Sequence, residues 1–278
     1  MKKIISLAFA AALGLSVFAA DIFTYVPLNS NVKAYTKTEY SIASKFGNYF
    51  RTPSLKIKRS FEKGNEIESA EMTPKDVLQN KISSVYDENG KIREQSYINS
   101  ESEVVWKNSF VYNAEGLKSE VSEFNAKDEL NSKTIFTYEK GNLVDETIYD
   151  AEGAIVWKTV YKYNALGKKD TVCEYSADGK LSSQETYAYD NSDANEIDTI
   201  TIYDKFEGTQ TQKVFRYNAE NQLSEITTYN NANQISNRVI IKYDTDGNVS
   251  RVSEYNVAEK FGTTVNELIG MAEYSYEF

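Results

Sequence analysis

The stretch Ile155-Val156-Trp157-Lys158-Thr159-Val160-Tyr161-Lys162-Tyr163-Asn164-Ala165-Leu166-Gly167 decides the fold of this chain. Ile155, Trp157, Thr159, Tyr161 and Tyr163 fall on one side of a period-two pattern, and Val156, Lys158, Val160 and Lys162 on the other. Strict alternation rich in Tyr, Val and Thr is the mark of a β-strand. The strand ends on a tight-turn word whose Asn can accept hydrogen bonds from turn amides and whose Gly tolerates a left-handed backbone. The segment is one arm of a β-hairpin.

The same words recur along the chain. Tyrosines stand before turns at Tyr112, Tyr138, Tyr163, Tyr189, Tyr217 and Tyr243, in steps of 25 to 28 residues. A second aromatic row, Phe124, Tyr149, Tyr175, Tyr203, Tyr229 and Tyr255, lies about half a period away. Turn glycines fall at Gly116, Gly153, Gly167, Gly179 and Gly247. A fixed period of this length is the signature of a repeat architecture, in which each unit buries its apolar face on its neighbours. Pro27, Pro53 and Pro74 all precede the regular repeats, so the later ladders keep their amide donors. A short turn around Val265, Leu268 and Ile269 is the best helical candidate after residue 20.

Consecutive hairpins make an antiparallel meander, with about thirteen strands expected between Lys81 and Tyr255. An open twisted sheet of more than about ten strands curls or splits. The expected fold is therefore all-β: a curled antiparallel β-meander of about seven hairpin repeats of about 26 residues, its aromatic face inward. Four parts follow: 1–20, a signal peptide; 21–78, an irregular segment with a few strands; 79–257, the repeats; and 258–278, a capping segment and last strand. In such a stack Tyr276, in an end unit with one neighbour, contributes less than the central tyrosines.

The motif in Tyr86-Asp87-Glu88-Asn89-Gly90-Lys91-Ile92 and Tyr243-Asp244-Thr245-Asp246-Gly247-Asn248-Val249 resembles the YD repeat of the Rhs and teneurin proteins. The resemblance covers residues 79–257 and implies a hairpin meander wound into a hollow β-shell, which in bacterial members encloses a toxin. This chain has no proline after Pro74, no autoproteolysis signature and no toxin-sized domain after the repeats. The resemblance thus lends the fold and not the activity.

The remaining residues bound the function. Lys2 and Lys3, the apolar run Ile4 to Phe18, and Ala19 and Ala20 read as a secretory signal, which implies export to the periplasm, cell surface or medium. Losing those two lysines takes the net charge from −10 to −12, a poor surface for nucleic acid or anionic lipid. Histidine is absent and Cys173 stands alone, which removes His-based nucleophilic catalysis and the usual zinc sets. Asp244-Thr245-Asp246-Gly247-Asn248 places Gly fourth, where an EF-hand loop needs it sixth, so no cofactor or metal is expected. Glu120, Glu123, Glu146, Glu174, Glu185, Glu225 and Glu254 fall mid-strand among Ser, Thr and Lys, as cross-strand partners on a solvated face.

The expected function is an exported, non-enzymatic β-repeat scaffold or surface interaction protein. Its partner would be a protein or cell-envelope component, with no membrane span in the mature chain. One alternative is a carbohydrate-binding or adhesive module that presents the tyrosine rows to polysaccharide as a stacking platform for sugar rings. In the scaffold the same tyrosines stack on their equivalents in adjacent hairpins, with their hydroxyls reaching water at the rim. A second is an outer-membrane β-barrel, suggested by the aromatic alternation of Tyr274, Tyr276 and Phe278; Leu143-Asp145-Thr147-Tyr149 lacks the apolar band that such a barrel needs.

Overall fold

A computed structural model describes residues 21–45, 48–189, 196–260 and 262–278; residues 1–20, expected as a signal peptide, lie outside the described residues. Among the described residues a single 3₁₀ turn, Ile22–Thr24, precedes the strands. The first hairpins are β1 (Ala34–Lys45) with β2 (Asn48–Glu62), and β3 (Asn65–Met72) with β4 (Leu78–Tyr86). Next come β5 (Ile92–Asn99), β6 (Val104–Tyr112), β7 (Lys118–Asn125), β8 (Leu130–Glu139), β9 (Asn142–Asp150) and β10 (Ile155–Tyr163). They are followed by β11 (Lys169–Ser176), β12 (Leu181–Tyr189), β13 (Ile197–Asp204) and β14 (Thr209–Tyr217). The chain finishes with β15 (Leu223–Tyr229), β16 (Ile235–Tyr243), β17 (Val249–Lys260) and β18 (Thr263–Glu277).

Each strand pairs antiparallel with the next. The sheet does not stay open: β18 returns to β1, running from Ala34↔Glu277 to Ser41↔Gly270. The expectation of an open, curled meander of about seven repeats is therefore corrected to a closed barrel of 18 strands. The physical reason lies at the two ends of the chain. An open meander leaves two rows of unpaired backbone groups, and pairing β1 with β18 removes both edges. Val265, Leu268 and Ile269, expected as a helical turn, lie in β18, where Ile269 is the bulged residue between Leu268↔Tyr255 and Gly270↔Glu254.

The two rims differ. At one rim the even-numbered strands from β4 to β16 end on the pre-turn tyrosines or, in β8, one residue past Tyr138. At the other, the neighbouring hairpins β1–β2 and β17–β18 reach past the shorter strands around them, with strands of 12 to 15 residues.

The five turn glycines all adopt the left-handed backbone, as at Gly167 with φ 73°. The turn acceptor works as its residue type requires: Asn164 Oδ1 accepts from the amides of Leu166 and Lys168, both at 3.0 Å. Beside each such turn the register slips by one residue. Lys162 pairs with Thr171 but Tyr163 with Lys169, so Asp170 is bulged out. The slip reverses which face the following residues occupy. It also acts on Ile155, which pairs with Tyr149 while Trp157 pairs with Ile148. Ile155 is thereby turned away from the Trp157 face on which simple alternation placed it, and it is 44% exposed.

Candidate functional site

The pre-turn tyrosines do not present their hydroxyls to water. The β11–β12 ladder stops at Thr171↔Thr186, which leaves the Lys169 carbonyl without a strand partner on that side. The Tyr189 hydroxyl donates to it at 2.9 Å. The arrangement recurs hairpin after hairpin, always to the residue 20 positions back: Tyr86 to Glu66, Tyr112 to Ile92, Tyr138 to Lys118, Tyr163 to Leu143, Tyr217 to Ile197 and Tyr243 to Leu223. Tyr276 on β18 does the same to Val249 at 2.7 Å, so the ring of hydroxyls runs through the closing strand. Each tyrosine completes a ladder that ends two residues early, satisfying a backbone acceptor near the rim. Desolvation raises the pKa of Tyr243 to about 12.

The N-terminal turn identifies the inner face. Ile22 and Val26 pack into a cluster with Ile200, Ile202, Phe215, Ile226, Val239 and Ile241. Phe23 meets Tyr35 at 5.0 Å and Tyr274 at 5.8 Å, and Tyr25 meets Phe215 at 5.2 Å. Asp21 accepts from the Tyr35 hydroxyl at 2.7 Å and pairs with Arg59 at 3.1 Å. A few residues can touch β1, β2 and β13 to β18 together only from the concave side, since strands stand about 4.8 Å apart. The pre-turn tyrosine face is therefore the lumen. The N-terminal turn covers its apolar half near the tyrosine rim.

The other half of the lumen is aromatic and polar. Tyr97 stacks on Trp106 with centroids 5.6 Å apart. Register puts Glu123 opposite Asn108, Glu146 opposite Phe136 and Glu174 opposite Thr159 on this face. Glu185 and Glu254 join them, opposite Ile202 and Val239. Burial lifts Glu123, Glu146 and Glu174 above the ordinary carboxylate range; hydrogen bonds from Asn131, Tyr161 and Ser183 act in the other direction. Burial lowers Lys213, with Glu185 and Glu254 opposing the shift. Of the seven mid-strand glutamates expected on a solvated face, only Glu120 and Glu225 are found there. The bulge after each tyrosine turn puts Glu123, Glu146, Glu174 and Glu254 inside, a parity change that alternation does not reveal, whereas Glu185 shares the face of Tyr189 by alternation alone. Cys173 is buried on β11, its thiol 3.9 Å from Gln184 Oε1.

The second aromatic row faces out. Phe124 lies opposite Lys107, Tyr149 opposite Lys133, Tyr175 opposite Lys158 and Tyr255 opposite Arg238. These cations are paired in turn on the same surface. Lys133 meets Glu120 at 3.0 Å, Lys81 meets Glu68 at 2.8 Å and Arg251 meets Glu273 at 2.8 Å. Lys107 pairs with Asp128, Lys158 with Asp145, and Arg238 with Glu225. A belt of ion pairs thus runs along the outside of the barrel. Among the described residues no group of three or more His, Cys, Asp or Glu is arranged to hold a metal ion. No helix there is long and apolar enough to cross a membrane.

No known family profile matches this chain, and no curated protein matches it. Among solved structures it is similar to a porin-like protein from Bacteroides uniformis, at 10% identity and TM-score 0.48, over 90% of this chain and 99% of that one. A porin-like protein from Bacteroides vulgatus matches at 14% identity and TM-score 0.38, over 73% and 95%. The complex TcdB2-TccC3-Cdc42 matches at 10% identity and TM-score 0.32, over 77% of this chain and 15% of that one. These likenesses concern the arrangement of strands alone.

Proposed function

We propose that this chain is an exported, non-enzymatic β-barrel of the cell envelope that stands in water and works by binding. The observation that carries the reading is the outer belt. A lipid-facing barrel needs an apolar band about 25 Å tall, and a Lys or Arg at mid-membrane costs about 2–4 kcal/mol. Here Lys81, Lys107, Lys133, Lys158, Arg238 and Arg251 all project from the outer face, each held by a carboxylate. Charges so placed are at home in water, where such pairs keep a surface soluble at little net energy.

Closure favours a second reading, an outer-membrane barrel. The even strand number and the two long hairpins at one rim are features that such barrels share. Cell fractionation separates the two. The water-standing barrel is released by osmotic shock or alkaline wash without detergent. Recovery solely in the detergent-soluble outer-membrane fraction, with heat-modifiable gel migration, would establish the second reading instead.

A further inference from the structure

The turn Asn230-Asn231-Ala232-Asn233-Gln234 departs from its counterparts. Every other five-residue turn closed by the same backbone bond among the described residues carries at least one charged side chain, as in Asn113-Ala114-Glu115-Gly116-Leu117 or Ser176-Ala177-Asp178-Gly179-Lys180. This one carries amides. Its fourth position is Asn233 at φ 58°, a left-handed site that Gly fills in most of the counterparts and Asp76, Ser102, Asp128 or Asn221 in the rest. Asn is among the few residues that accept this backbone, so the site keeps a polar side chain that Gly would forgo.

The turn stands between two hollows on the outside of the barrel. One, about 510 Å³, is lined by Asn230, Gln234, Ser236, Val257, Ala258 and Thr264 among others; its single charged residue is Glu259. The other, about 210 Å³, holds Gln210, Gln212, Tyr229, Asn231 and Asn233. Asn230 borders both, so they form one groove bounded on one side by the long β17–β18 hairpin. The larger hollow falls within the ~300–1,000 Å³ usual for ligand sites. The Asn231 Oδ1 accepts from the backbone N–H of Gln210 at 3.3 Å, which fixes the Asn231 side chain and leaves its NH₂ to donate.

We infer that this groove binds a neutral polysaccharide. Amides offer donor and acceptor side by side, the complement of a sugar hydroxyl. Tyr229, of the outward aromatic row, supplies a flat apolar face for the C–H side of a pyranose ring. No Lys or Arg lines either hollow, and the chain carries a net charge of −10, so an anionic polymer is repelled. The inference rests on the reading of the chain as a binding protein and names the class of ligand.

Native gel electrophoresis through gels cast with laminarin, mannan or dextran tests it, with polygalacturonate as the anionic control. At least one neutral glycan slows the full chain. Tyr229→Ala and, independently, the isosteric surface change Asn231→Asp each weaken the retardation at least tenfold with unchanged circular dichroism. Tyr175→Ala, at the matching outward position of β11, leaves it intact. Retardation by no neutral glycan, retardation by polygalacturonate alone, or equal loss on Tyr175→Ala overturns the site. Shortening of a bound glycan during incubation would instead overturn the non-enzymatic reading while leaving the site standing.

Discussion

The Tyr163 hydroxyl lies 2.8 Å from the carbonyl oxygen of Leu143, two residues beyond Asp145↔Val160, the last pair of the β9–β10 ladder. Removing that hydroxyl alone leaves a half-buried acceptor without its donor. Tyr163→Phe should cost about 1–2 kcal/mol, within the range for an unmatched hydrogen-bonding group. Tyr163→Ala also empties the ring's site and should reach about 3 kcal/mol, the low end for aromatic truncation because the ring is only half buried. Chemical denaturation of the two variants measures both. Equal stability of Tyr163→Phe and the parent chain would show that the bond contributes nothing.

Closure changes what is expected of the last tyrosine. An end unit of an open stack would tolerate Tyr276→Ala. In the barrel Tyr276 has neighbours on both sides, is bonded to Val249 and lies 6.2 Å from Tyr35 across the β1–β18 seam. Its truncation should destabilise as much as that of Tyr163, within about 1 kcal/mol on the usual scale of such truncations. A cost near zero in a thermal melt would contradict a closed ring.

Gly167 isolates the cost of backbone handedness. Its φ is 73°, and a Cβ added there would meet nothing within 4 Å. Gly167→Val therefore introduces strain with no clash, worth about 1–3 kcal/mol for a residue held in a rare conformation. Gly167→Asn should recover most of it, because Asn tolerates positive φ, as Asn221 at 58° and Asn233 at 58° already do in this chain. Melting curves of the two variants compare them directly.

The rows and turns were legible because local chemistry writes them. A tyrosine before Asn or Asp, a Gly four positions on and period-two strands need no knowledge of distant partners. The side on which Glu146 or Ile155 points was not legible. One bulged residue per turn reverses the parity, and nothing in the neighbouring residue types marks it. The pairing of Ala34 with Glu277 was hidden for another reason: it joins residues more than 240 apart through strands that carry no turn word at their junction.

The lumen carboxylates give a pH signature. Burial raises the Glu146 pKa above its unfolded value, so between those two values the folded chain holds more protons than the unfolded one. Stability contributed by this group falls as pH rises through that window, and the penalty is complete above it. Glu146→Gln keeps an acceptor for the Tyr161 hydroxyl, 3.1 Å away, and removes the charge. It should melt higher than the parent at pH 7, with each kcal/mol moving the midpoint by about 2–4 °C. The advantage should vanish at a pH below the unfolded value of about 4.3. A gain independent of pH would locate the effect elsewhere.

The seam between β1 and β18 also fixes when the molecule can be finished. Synthesis delivers β1 first and β18 last, so an emerging chain exposes the free edge of β1 until residues 270–277 arrive to pair with it. During that interval the growing sheet is a template for any other unpaired strand, including another copy of itself. The step that ends the hazard also spans the greatest sequence distance in the fold and is slow for that reason. A crowded folding environment therefore sees its most association-prone species late, as a nearly complete sheet awaiting one strand. Chains cut short of β18 should accumulate as oligomers joined edge to edge.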